Sequence, residues 1–150
     1  LLFAGVVVVS SAMQIAGSMK NPEITSVQRE RAAYLQNNGL TFGYATFWNA
    51  NVVTELTDGD VEAVAVSIDA NAQGQGVPHT SMWLEATADR RMERPDEPVF
   101  LMLTAQESGQ LSDFLALSGA QKRWEQSGMT IYEIESQRVF FETAQTMDAQ

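Results

Sequence analysis

The chain has 150 residues, 45% apolar and 19% charged, the balance of one folded domain rather than of a disordered segment. Nineteen acids against nine bases leave a formal net charge of -10, which argues against nucleic acid and anionic lipid headgroups as partners. With no cysteine, disulfides, thiolate catalysis and cysteine-ligated metal centres are excluded.

The chain opens on "LLFAGVVVVSSAMQIAG", Leu1 to Gly17, almost unbroken in apolar character and without a charge before Lys20. A signal peptide would carry a basic n-region, and this run has none. One buried strand is shorter than this, although a core helix or strand stays possible for part of it. The preferred reading is the outer end of a membrane span, which takes about 20 apolar residues in full. Residues 1–20 are therefore assigned to the end of a transmembrane helix, 21–143 to a soluble domain and 144–150 to a frayed tail. Few bases follow the run, so nothing marks this side as cytoplasmic.

After Pro22, Thr25 and Gln28 form a capping-box pair and predict a helix over about 25–38, closed by Gly39. "LTFGYA" (40–45) reads as a short strand. Thr46 then caps a helix over about 47–57, in which Trp48, Val52 and Leu56 share a stripe and Gly59 is the stop. "DVEAVAVSI" alternates and predicts a second strand, while the Gly-, Asn- and Gln-rich "DANAQGQGVPHTS" reads as a loop. "MWLEATADRRMER" predicts a short helix. "EPVFLMLT" is a continuous apolar run, typical of a strand buried on both faces. "LSDFLALSG" is a helix with Ser108 as a cap and Gly119 as its stop, "MTIYEIE" a strand, and "RVFFET" an antiparallel edge strand. This order predicts an α/β fold: a small, mostly parallel sheet of four to five strands with helices on both faces. The expected core comprises Trp48, Val52, Leu56, Val99, Leu101, Leu103, Phe114, Leu115 and Ile131.

Catalytic constellations are sparse. His79 is the single histidine and stands beside Pro78 with no nucleophile elbow to support a triad, so it reads as an exposed loop residue. No metal-ligand spacing is present, and "DGD" at 58–60 reads as a turn. "GQG" at 74–76 is followed by Val77 and Pro78 rather than by a helix, a weak nucleotide signal. The acid pairs Glu133 and Glu135, or Asp58 and Asp60, read as solvent-facing. Arg90, Arg91 and Arg94 are interleaved with acids and read as a solvated loop. No catalytic residue, metal or cofactor is assigned.

"NNGLTFGYATFWNANVVTELTDGDVEAVAV", residues 37–66, resembles the segment after the last membrane span in bacterial membrane-embedded glycosyltransferases. These are of the protein-mannosyltransferase and aminoarabinose-transferase type. Gly43, Tyr44, Ala45, Trp48, Asn49, Asn51 and Thr54 carry the resemblance most specifically. Met82-Trp83-Leu84 and the apolar strand from Val99 to Leu103 follow in matching order.

The resemblance implies an extracytoplasmic accessory domain of an enzyme that uses polyprenyl-phosphate sugars, held at the bacterial cytoplasmic membrane by its N-terminal span. In such enzymes the catalytic acid lies between early spans, which this sequence does not include. The implied partners are the membrane and a glycan or lipid-linked sugar. An aromatic face with nearby amides suits a sugar ring, by stacking and by hydrogen bonds to its hydroxyls. Tyr44, Trp48, Asn49, Asn51 and Trp83 are the candidate binding residues. The alternatives are that Phe47 and Trp48 merely pack on the sheet, and that the domain is a non-catalytic ligand- or partner-binding module of a membrane protein.

Overall fold

The computed structural model describes residues 22–80 and 94–150. In chain order the elements are α1 (Pro22–Asn37), β1 (Phe42–Thr46), α2 (Phe47–Leu56), β2 (Glu62–Ala70) and β3 (Gly76–Thr80). They continue as β4 (Val99–Thr104), α3 (Ala105–Gln110), α4 (Ser112–Leu117), β5 (Gln121–Gln126), β6 (Met129–Ile134) and α5 (Gln137–Asp148). The strands form one sheet in the order β3-β2-β1-β4-β6-β5.

The fold is α/β, with a mixed sheet of six strands rather than a mostly parallel one of four to five. β1 lies parallel to β2 and β4, whereas the β2–β3, β4–β6 and β5–β6 pairs are antiparallel. Two edge strands account for the difference. β3 arises from the stretch read as a loop, and it carries Pro78, which a sheet accepts at an edge. β5, "QKRWEQ", is almost wholly exposed and charged, a composition that blunts a sheet edge and also conceals the strand in the sequence.

"RVFFET" is helical instead of extended. It belongs to α5, where Phe140, Ala144 and Met147 are buried at helical spacing, and the helix runs through the residues expected to form a tail. The Ser136 hydroxyl caps it by accepting from the Val139 N–H at 3.2 Å. α4 is the helix predicted at 111–119, and α3, which precedes it across Leu111, is a helix that the sequence reading did not include. A capping box between Thr104 and Glu107 starts α3; the Ser108 hydroxyl donates to the Thr104 carbonyl instead of capping. The expected helix at 82–94 and the expected span at 1–20 lie outside the described residues. No helix among the described residues is long and apolar enough to cross a membrane.

β4 has apolar side chains on both faces, so both need cover. On one face Phe100 and Met102 join Leu35, Ala45, Ala50, Val53 and Ile131 beneath α1 and α2. On the other, Val99, Leu101 and Leu103 join Tyr44, Leu111, Phe114 and Phe140 beneath α4 and α5. Val99, Leu101, Leu103, Phe114 and Ile131 are buried as expected, and Leu115 is half-buried. The α2 stripe is out of phase with the expected one. Ala50 and Val53 face the sheet, Val52 is half-buried, and Trp48 and Leu56 are exposed. Small residues let α2 lie close on β1 and β2, and a tryptophan at the interface would hold it off.

Gly43 pairs with Phe100 in the β1–β4 ladder. A Cβ at Gly43 would collide with the Phe100 carbonyl and ring. Gly43→Ala should lower stability by about 1–3 kcal/mol, the usual cost of overpacking. Gly109→Ala, in open space on α3, should be neutral or slightly stabilising. Thermal unfolding of the two variants side by side checks both.

Candidate functional site

β1 and β4 are parallel neighbours, and their following helices leave for opposite faces: α2 for the Phe100 face, α3 and α4 for the Leu101 face. This divergence is the switch point at which open α/β sheets form a ligand crevice beyond the strand ends. The ladder pairs Ala45 with Met102, which carries Phe47 to about the level of Thr104. The turn Thr46–Asn51 therefore lies just beyond the carboxyl end of β1, at this switch point.

Trp48 stands at this position with 79% of its surface exposed, and Phe47 with 43%. Their rings meet edge to face, with centroids 5.2 Å apart. The two form an apolar platform rather than a core contact. Phe47, absent from the candidate set drawn from the sequence, belongs to it. Asn49 is half-buried and its amide Nδ2 donates to the Thr46 hydroxyl at 3.2 Å, tying the first turn of α2 to its N-cap.

Asn51, three residues after Trp48 and hence on the same side of α2, is exposed. It lines an open groove of about 720 Å³ with Thr54, Glu55, Asp58, Glu62 and Ala63. Carboxylates and an amide there would accept hydrogen bonds from hydroxyl or amine groups of a polar ligand. Thr54 is committed to the scaffold. Its hydroxyl donates to the Ala50 carbonyl and accepts from the Ala63 N–H, both at 3.2 Å, joining α2 to β2.

The remaining candidates lie apart from the platform. Tyr44 is a core residue at 1% exposure, its ring stacked on Phe140 at 4.0 Å and its hydroxyl accepting from Gln137 Nε2 at 3.1 Å. Its aromatic faces are taken up by packing. Trp83 lies outside the described residues. His79 is on β3, with Nε2 3.5 Å from an Asp148 carboxylate oxygen, both side chains well exposed.

Shifted titrations occur on α1 and β5. Burial lowers the Arg31 pKa, and hydrogen-bonded carboxylates, Glu125 and Glu133, raise Lys122 and Arg123 respectively. Among the described residues no group of three acidic, histidine or cysteine side chains is placed to hold a metal.

Compared with protein-family models, with curated proteins and with solved structures, the chain matches none.

The exposures of Trp48 and Tyr44 separate platform from core. Trp48→Ala should leave stability within about 0.5 kcal/mol of the parent. Tyr44→Ala, which empties a stacked core position, should cost about 3–5 kcal/mol. Urea unfolding followed by circular dichroism measures both, and equal losses would place Trp48 in the core.

Proposed function

We propose that this chain is the extracytoplasmic accessory domain of an integral-membrane glycosyltransferase that draws on polyprenyl-phosphate sugars. In this reading it does not carry the transfer chemistry. The Trp48 platform and the Asn51 side of α2 hold a saccharide of the donor or acceptor. The observation that supports this most is the 79% exposure of Trp48 beside Phe47 at the switch-point crevice. A large aromatic left in water at a ligand-collecting position suits stacking against the C–H face of a sugar.

The division of labour follows from the chemistry of each side chain. The indole presents a flat apolar face and an N–H donor, while Asn51 offers both a donor and an acceptor. Glu55 and Asp58 add acceptors along the groove. Asn49 acts indirectly, by holding the first turn of α2 in place through Thr46.

Titration of the chain with saccharides and water-soluble polyprenyl-phosphate sugar analogues, followed by nuclear magnetic resonance, tests this. Shifts should concentrate at Phe47, Trp48 and Asn51. Trp48→Ala should weaken binding about tenfold, equivalent to about 1.4 kcal/mol, with unfolding unchanged. Asn51→Ala should weaken it by a smaller factor. If neither variant alters saccharide binding, or no saccharide shifts these residues, the platform serves another ligand.

A further inference from the structure

Of the six asparagines in the chain, Asn38 alone precedes a glycine. A backbone nitrogen can attack the side-chain amide of the residue before it. Glycine, with no Cβ, obstructs the resulting ring least. Asn38 and Gly39 are both exposed, at the C-terminal end of α1.

The fold occupies both reacting groups. Gly39 takes the left-handed conformation, φ +69°, that ends the helix. Its N–H donates to the Gln36 carbonyl at 3.2 Å, and the Leu40 N–H donates to the Leu35 carbonyl at 3.0 Å. This pair of bonds is a glycine C-cap, with Leu35 and Leu40 buried in one cluster beneath it. The Asn38 Nδ2 in turn donates to the Tyr34 carbonyl at 2.8 Å. Nucleophile and electrophile are each tied to the last turn of α1, so their reaction requires the cap to open.

We infer that Asn38 is a site of spontaneous deamidation, gated by this cap, and that the reaction leaves the cap open. In the opened cap, hydroxide removes the Gly39 amide proton and the nitrogen attacks Asn38 Cγ. The N–Cγ bond forms, the Cγ–Nδ2 bond breaks, and ammonia leaves by taking a proton from water, which restores the hydroxide. Water then opens the cyclic imide at either carbonyl, giving aspartate or the backbone-lengthened isoaspartate.

Both products oppose the original cap. The new carboxylate puts an acceptor where the Tyr34 carbonyl had a donor, and it adds negative charge at the negative end of the helix. α1 has no base in its last turn to neutralise it, and the neighbouring Gln36 already bonds Asp60 at 3.3 Å. Isoaspartate also adds a main-chain carbon before Gly39, which displaces the Leu40 N–H from the Leu35 carbonyl. The lead from α1 into β1 is thereby loosened.

The full chain, kept at mildly alkaline pH in buffer and in urea, is mapped by peptide mass spectrometry. The mass gain of amide-to-acid exchange should appear at Asn38 before the other asparagines. It should run at least about tenfold faster in urea than in the folded chain. Isomerisation at Asp58–Gly59 changes no mass and does not interfere. Equal rates overturn the gating, and earlier modification of another asparagine overturns the site. In the aged fraction, hydrogen exchange at the Leu40 amide should be faster than in fresh protein; unchanged protection overturns the lasting opening. Asn38→Asp, which carries the charge without ageing, should unfold at a lower temperature than Asn38→Ala, and added salt should narrow the gap. A midpoint for Asn38→Asp at or above that of Asn38→Ala overturns the charge argument.

Discussion

The structure depends on burying β4 completely. Val99 to Leu103 are five consecutive interior residues, so helices must cover both faces and strands must occupy both sides. A single-faced sheet would leave either Phe100 and Met102, or Val99, Leu101 and Leu103, in water. Each such side chain contributes about 1.5–3 kcal/mol by burial. This constraint also sets the composition of β1, its parallel neighbour. Gly43 gives way to the Phe100 ring and Ala45 stays small on the α2 side, while Tyr44 turns to the other face and stacks on Phe140. The Gly-Tyr-Ala segment is thus the complement of β4.

Covering both faces from two adjacent parallel strands makes the chain depart in opposite directions from their ends. The crevice beyond Thr46 and Thr104 is a by-product of that topology. The helix α2 that leaves from this end is held at both of its own ends. The Thr57 hydroxyl donates to the Val53 carbonyl at 2.9 Å and accepts from the Val61 N–H at 3.1 Å. Together with Thr54 it fixes α2 at its C-terminal end, while Asn49 and Thr46 hold the first turn. The rings of Phe47 and Trp48 are therefore displayed by a supported helix rather than by a free loop, which suits a contact surface.

The central elements were readable from the sequence because their signals are local. A long apolar run gave β4, alternation gave β2, and the stops at Gly39, Gly59 and Gly119 do adopt positive φ. The peripheral elements were not. β3 and β5 exist because a neighbouring strand offers a ladder, and neither Pro78 nor the charges of β5 advertise it. "RVFFET" has a strand-like composition, and only the longer register reaching Ala144 and Met147 reveals a helix. On α2 the larger apolar residues drew the predicted stripe toward Trp48 and Leu56. The sheet, lying close, takes Ala50 and Val53. Size misled the phase.

That misphasing divides the motif by function. Gly43, Tyr44, Ala45, Ala50 and Thr54 all have structural duties: clearance, stacking, close approach or a helix-to-strand hydrogen bond. Asn49 serves the cap. Trp48 and Asn51 contribute to neither core nor ladder, and Phe47 touches the scaffold with only part of its ring. Thr46 occupies the N-cap without a side-chain capping bond, and nothing in capping or sheet packing calls for two exposed aromatics after it. A small polar residue at Trp48 would satisfy the same backbone and spare the apolar exposure. Neither the core nor the ladder therefore accounts for these side chains.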